Sequence, residues 1–347
     1  MVKKIKSKEL SLLSNQLYLM IDAGIIISEA FYLTVSMEKN EILKKKLILI
    51  YDDILKGEEL YKSIEKHQDI FPVFFIQMIR LGEHTGNLEG VLKNLYEFYE
   101  RDNKLYNKLK SSMTYPLIVF ITSILAILIL MIKVVPQFTD TLISLGGNLP
   151  GITSMMLLTC GIFKENYIVI IIIFFIIVTL VRKINKTQIG REKLQSLKLK
   201  IPIFRCIYEK IILSKFSRSM GILISSGCNL ISSFEICSEI IDNIVFKKAL
   251  GQCLDKIKNG KSMTYAFSSI GINNPLFISL IRTGEETGEL DKVLKKAADF
   301  YDNELEELSK RLLTILEPVL VIIMAAIIGT FIIAIMLPIL NIMDAIK

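Results

Sequence analysis

A phrase that the chain carries twice constrains its fold more than any other feature. Arg80-Leu81-Gly82-Glu83-His84-Thr85-Gly86-Asn87-Leu88 returns as Arg282-Thr283-Gly284-Glu285-Glu286-Thr287-Gly288-Glu289-Leu290, 202 positions later. The flanks recur at the same shift: Phe98-Tyr99-Glu100 matches Phe300-Tyr301-Asp302, Tyr115-Pro116 matches Glu317-Pro318, and Pro136 matches Pro338. Upstream the shift is 203, pairing Gly24 with Gly227, Gly57 with Gly260 and Pro72 with Pro275. A register kept over so long a stretch is a duplication, so the chain is read as two copies of one unit.

Each copy reads as a polar helical domain followed by an apolar span. In the first copy Phe74, Phe75, Met78 and Ile79 suit one helix, which Gly82 can end in the left-handed conformation. Thr85 or Asn87 can cap the next helix, which carries Leu88, Val91, Leu92, Leu95 and Phe98 on one face. The phrase is therefore either a tight helix corner or a surface that a partner touches. Its candidate residues are Arg80, Gly82, Glu83, Thr85 and Gly86, with Arg282, Gly284, Glu285, Thr287 and Gly288.

Earlier in the copy, Leu10, Leu13, Leu17 and Met20 or Ile21 trace a helical face, Gly24 marks a turn and Ser28 is a plausible cap. A further helix runs from about Glu41 to Lys56 and stops at Gly57. The basic start, Met1 to Lys8, is not read as a secretory signal, because Ser11, Ser14, Asn15, Gln16 and Asp22 interrupt the apolar residues. Neither copy holds a useful alternating strand pattern. Both are expected to be all-helical, with five or six helices each.

The chain is 52% hydrophobic, with a mean hydropathy of +0.48, too apolar for a wholly soluble protein. Leu117 to Val135, bounded by Pro116 and Pro136, is a first membrane span. Tyr167 to Val181 is a second, and Val319 to Leu337 a third. Of the 42 Lys and Arg, 17 lie in residues 1–116, 22 in 182–318 and 3 elsewhere. The positive-inside rule then puts both helical domains in the cytoplasm and the 136–166 loop outside. The expected order is a cytoplasmic domain over 1–116, a span over 117–135 and an outer loop with an interfacial helix over 136–166. A span over 167–181, a cytoplasmic domain over 182–318, a span over 319–340 and an outer tail over 341–347 follow.

Chemistry is sparse. Two histidines and five scattered cysteines give no zinc spacing, and no acid, base or nucleophile constellation appears, so no catalytic, cofactor or metal site is expected. Gly260-Lys261-Ser262 resembles the end of a phosphate-binding loop, but Asp255 stands where that motif needs glycine. Between Arg182 and Arg218, eleven Lys and Arg face only Glu192 and Glu209. That strip is either an anchor on anionic membrane lipid or a docking strip for an acidic partner. In the third span Ala325, Ala326, Gly329, Thr330 and Ala334 form a small-residue seam where another helix could pack closely.

The twin Gly-Glu-x-Thr-Gly-x-Leu phrases, Leu199-Lys200-Ile201-Pro202 leading into Phe216-Ser217-Arg218, Met220 to Gly227, and Leu149-Pro150-Gly151-Ile152-Thr153 resemble the platform proteins of type II secretion and type IV pilus machines. The competence pseudopilus belongs to the same group. The resemblance covers nearly the whole chain. Two departures are the start close to the first repeat and Ser14-Asn15-Gln16-Leu17 where the second copy has Phe216-Ser217-Arg218-Ser219-Met220. It implies an all-α, multi-pass protein of the bacterial inner membrane, a non-enzymatic scaffold without cofactor. Its partners would be a cytoplasmic assembly ATPase, pilin or pseudopilin subunits, membrane lipid and further copies of itself, with no direct nucleic-acid contact. The competing reading is a small membrane transporter or channel subunit, against which the absence of carboxylates and histidines inside the spans counts.

Overall fold

The computed structural model describes residues 5–129, 133, 187–241, 243–270 and 274–345, with isolated positions 172, 176, 179, 180 and 183. Among the described residues every regular element is a helix. In chain order these are α1 (Ser7–Asp22), α2 (Ile27–Met37), α3 (Glu41–Leu55), α4 (Leu60–Glu65), α5 (Val73–Thr85), α6 (Leu88–Ser112) and α7 (Thr114–Ile129). There follow α8 (Gln188–Lys200), α9 (Pro202–Ser225), α10 (Leu230–Ile240), α11 (Ile244–Lys258), α12 (Met263–Ser268), α13 (Pro275–Thr287) and α14 (Leu290–Ala345).

The duplication appears helix by helix. The helices α2, α3 and α4 reappear as α10, α11 and α12 at the larger of the two sequence shifts. At the smaller shift α5 and the start of α6 reappear as α13 and the start of α14. The chain turns at matched glycines with positive φ: Gly24 and Gly227, Gly57 and Gly260, Gly86 and Gly288. These are backbone states that a side chain disfavours. Asn40 and Asn243 cap α3 and α11, each accepting hydrogen bonds from two backbone amides. Ser28, expected as a cap, lies inside α2. Ile26 holds the cap position without a side-chain bond, and its extended backbone sets the helix start instead.

The register changes between α4 and α5, one residue earlier than the prolines suggest. Pro72 is the cap residue before α5, whereas Pro275 is the first residue of α13. Both places suit a residue without an amide hydrogen, so the two prolines are neighbours in the alignment of the halves rather than equivalents. The residue structurally matched to Pro72 is Asn274.

Residues 1–108 and 192–307 form one compact unit, with a core that draws on both halves. Leu10, Leu13, Leu17, Phe31, Leu43, Leu47, Phe74, Phe75, Leu92 and Leu95 are buried in the first half. In the second, Phe216, Phe234, Phe267 and Phe277 form an aromatic knot, with ring centroids 5.2 Å apart for Phe216–Phe234 and 5.0 Å for Phe267–Phe277. α5 packs on α10, which joins the halves. Burial pushes the Cys253 thiol up to about 12 and the Cys237 thiol well above its ordinary value, so both are inert packing residues.

Residues 109–191 and 308–347 form a second unit. Its part of α14 is apolar and outward-facing: the most apolar stretch of that helix has a mean hydropathy of 2.5 and none of it is buried within the protein. Val321, Ile322, Ile332 and Ile333 are all more than half exposed. Such a surface is stable in hydrocarbon rather than in water. A shorter apolar stretch, Thr114–Ile127, lies in α7. At the matched starts of these segments, the Tyr115 hydroxyl donates to Glu317 Oε1 at 3.4 Å. The expected outer loop over 136–166 lies outside the described residues. So does the expected span over 167–181, apart from isolated positions.

Candidate functional site

The repeated phrase is a corner between two helices in each half. α5 ends at Gly86 and α13 at Gly288, with φ of 68° and 72°. The sequence reading ended the first helix at Gly82, and the structure corrects it. Gly82 and Gly284 are helical and buried one turn earlier. A Cβ on Gly82 would lie 3.0 Å from Val91 Cβ, and one on Gly284 would lie 3.1 Å from Leu290 Cα. The first glycine of each phrase permits close approach of the following helix, and the second permits the reversal.

The extra turn of helix carries the glutamate to its target. Glu83 Oε1 accepts from the Leu60 amide at 2.8 Å, and Oε2 accepts from the Tyr61 amide at 2.9 Å. Glu285 accepts from the Met263 amide, from the Thr264 amide at 3.0 Å and from the Thr264 hydroxyl. These are the first amides of α4 and α12, which have no partner inside their own helices. A carboxylate there satisfies two donors and meets the positive end of the helix. Glu59, the residue at the cap position of α4, makes no side-chain cap bond, so the cap comes instead from the next helix along the chain. Sequence reasoning missed this role. The signal was available: an identical glutamate in both halves, at near-constant spacing from Gly57 and Gly260, beside a short helix. In the first half that helix has no side-chain cap of its own, and in the second it has Ser262, which accepts only from the Tyr265 amide.

The other residues of the phrase are also occupied locally. The Thr85 and Thr287 hydroxyls donate back to the Leu81 and Thr283 carbonyls at 2.8 and 2.7 Å. Thr85 therefore does not cap the next helix; Asn87 does, accepting from the Gly90 amide at 3.1 Å. The Arg80 guanidinium lies over the Tyr61 ring at 5.2 Å, and the His84 ring is 5.5 Å from the same tyrosine. In the second half the matched position is Thr264, and Tyr265 is exposed. There Arg282, Glu285, Glu286, Thr264 and Tyr265 line an open groove of about 590 Å³. No cluster of three metal-ligating side chains occurs among the described residues.

A family model described as "Type II secretion system (T2SS), protein F" matches residues 13–136 and again residues 216–338. The chain belongs to that family. The two matches begin and end at the same offsets that separate the halves. The chain is 28% identical over 341 residues to the type IV pilus assembly protein PilC of Thermus thermophilus, covering 98% of this chain and 84% of the relative. It is 28% identical to the protein of that name from Myxococcus xanthus, covering 99% and 82%. It is 26% identical to the type II secretion system protein F of Aeromonas hydrophila, covering 96% and 86%.

In this member of the family the halves are latched by charge. Asp302, buried next to Tyr301, is held by Arg218, by the Ser214 hydroxyl and by Arg101 of the first half at 3.2 Å. Arg101 also meets Asp299 at 2.8 Å. In the opposite sense, Lys215 of the second half meets Asp102 of the first at 2.6 Å. The later part of the basic strip is thus used inside the protein: Lys210 pairs with Glu304, Lys215 with Asp102 and Arg218 with Asp302.

On α14, Ala325, Ala326 and Thr330 are exposed and Gly329 is half-buried. Nothing lies within 4 Å of a Cβ built on Gly329, and the Thr330 hydroxyl donates to the Ala326 carbonyl at 2.8 Å. The side chain of Ala334 lies outside the described residues.

Proposed function

We propose that this chain is the multi-pass inner-membrane platform of a pilus-type machine. It would be a scaffold without catalytic activity that couples a cytoplasmic assembly ATPase to the extraction and polymerisation of pilin-like subunits. The carrying observation is the family match over both halves. The domain limits given above, three spans at 117–135, 167–181 and 319–340 and cytoplasmic placement of both helical regions belong to this reading. It is supported by the distribution of Lys and Arg and by the outward apolar surface of α14. Two helical regions braced by buried phenylalanines and ion pairs suit the passage of force from a partner to the membrane. The outer faces of the phrases, with Arg80 and Arg282, are the offered partner contacts. The seam of Ala325, Ala326, Gly329, Thr330 and Ala334 is the offered helix contact, within the protein or between copies.

Deleting the gene should abolish fibre assembly or secretion while pilin-like subunits accumulate in the membrane; normal fibres without it would end the reading. A reporter enzyme active only outside should work after Asn148 and fail after Asn103 or Lys261. Gly329→Leu should insert normally but weaken assembly, because the segment stays apolar while close helix approach is lost.

A further inference from the structure

The duplication supplies an internal reference for judging surfaces. α3 and α11 are the same helix in matched halves. Their buried faces agree in character, with Leu47 and Ile50 in one and Leu250 and Cys253 in the other. Their outer faces do not. α3 presents Ile42, Ile48, Leu49 and Leu55, exposed to 51%, 40%, 49% and 60%, where α11 has Val245, Gly251, Gln252 and Lys258. Beside them on α2, exposed Tyr32 stands where α10 has Glu235, which pairs with Lys258 at 2.6 Å. The second half carries an exposed ion pair on this surface, and the first leaves it apolar. The apolar side chains are not needed to build the fold, since the duplicate manages without them. They mark a contact.

The sequence of α3 says what covers it. Reading Glu41 to Lys56 from both ends towards a centre between Ile48 and Leu49 pairs Glu41 with Lys56, Ile42 with Leu55, Lys44 with Asp53, Lys45 with Asp52 and Ile48 with Leu49. Charges meet opposite charges and apolar residues meet apolar ones, apart from Lys46, which falls on Tyr51. Lys45, Ile48, Leu49 and Asp52 share one face of the helix by their spacing, and all four are exposed. The same reading of α11 keeps Lys248 opposite Asp255 but brings Lys247 onto Lys256 and leaves Gly251 and Gln252, with no apolar side chain, at the centre. A helix face complementary to its own reverse fits a two-fold contact, in which each pairing occurs twice.

We propose that the outer face of α3 joins two copies of this chain, packed antiparallel about a two-fold axis between Ile48 and Leu49. Lys45 of each copy then lies against Asp52 of the partner subunit, and the apolar residues fill the centre. The contact requires neither ATPase nor pilin, so its failure would leave the platform reading intact, and failure of the platform reading would leave the contact intact.

The test uses the full chain in lipid nanodiscs or detergent, with self-association measured by sedimentation and by energy transfer between labelled copies. Lys45→Asp and Asp52→Lys each place like charges together twice, and each should weaken self-association about tenfold or more. The double variant should recover it. So should a mixture of the two single variants, because each then offers the charge the other lacks; recovery on mixing also shows that both are folded. Leu49→Glu should dissociate the contact, with no rescue by either charge variant. Unchanged self-association in Lys45→Asp, Asp52→Lys and Leu49→Glu would overturn the proposal. Loss in both single variants without recovery on mixing would overturn it equally, by assigning the face to a different partner.

Discussion

The two halves of the compact unit share their helix order and turns yet differ in how they are finished. Tyr61 fills the space beside the corner of the first half, between Arg80 and His84. The second half has Thr264 there and leaves a groove. The second half builds its core on four phenylalanines, where the matched positions of the first hold Leu13, Phe31, Ile64 and Phe75. The first half shows an apolar outer face on α3, and the second a charged one. Duplication thus preserves what the backbone needs, matched glycines, glutamate caps and buried apolar positions, and releases what each half shows to its surroundings.

The largest expected difference between matched positions lies at Asp302 and Glu100. Asp302→Ala leaves the nearly buried Arg218 with only its longer contact to Asp299 at 3.3 Å and should cost about 3 kcal/mol, in the range for breaking a buried pair. Glu100→Ala removes a surface pair with Lys104 at 2.9 Å and a hydrogen bond with the Tyr96 hydroxyl, leaves no buried charge behind, and should cost about 1 kcal/mol. Denaturant melts of the two variants compare them directly, and equal losses would dissolve the distinction between the halves.

The glutamate caps should behave alike instead. Glu83→Ala and Glu285→Ala should each cost about 1–3 kcal/mol, as expected for a charge-assisted cap that leaves helix amides unpaired. Gln, which keeps an acceptor, should recover part of the loss. A cost near zero in either half would return that residue to the surface as a partner contact.

A smaller contrast separates two matched tyrosines. The Tyr301 hydroxyl donates to Asn274 Oδ1 at 3.0 Å, whereas the buried Tyr99 hydroxyl has no partner among the described residues. Pro72 stands where Asn274 would be, so the acceptor is missing. Tyr301→Phe should cost about 1 kcal/mol, and Tyr99→Phe should be neutral or stabilising. A loss in Tyr99→Phe as large as in Tyr301→Phe would reveal a bound water at the first site.

The smallest effect is pH dependence confined to the first half. Burial and the nearby charge of Lys46, whose Nζ lies 3.3 Å from His67 Nδ1, lower the His67 pKa below its ordinary value. Its neutral form is therefore favoured in the folded state. The stability it contributes is fully present above the unfolded value of about 6.5 and is lost as pH falls from there through the lower folded value. Ile270 occupies the matched position, so His67→Ile should flatten the difference between melts in neutral and in mildly acidic buffer. An unchanged slope would place the titrating group elsewhere. Asp53, lowered chiefly by its hydrogen bond to Lys66, acts in the same direction but only in the acidic carboxylate range.

Much of the fold was legible because glycine and apolar spacing act locally. Gly24 and Gly57 were read as turns, and the apolar faces of α1 and α6 were read from Leu10, Leu13 and Leu17 and from Val91, Leu92 and Leu95. The corner was only half legible. Gly82 and Gly86 are both plausible helix ends by local rules, and the choice between them rests on where Glu83 must reach. Nor could the sequence show that Lys215 and Arg218 are used inside the protein, because their partners lie far away along the chain.

The sequence by itself determined the duplication, the all-helical class, the apolar segments and the charge palindrome of α3. All of these follow from residue spacing along one chain, where periodicity and backbone preference act over a few positions. Only the tertiary structure decided that the shared glutamates cap neighbouring helices and that Asp302 latches the halves. It also decided that the α3 face is exposed and apolar while its twin, exposed as well, carries the Lys258–Glu235 ion pair. Each of those depends on which segments lie side by side, and a hydrogen bond or ion pair acts through space, without regard to separation along the chain.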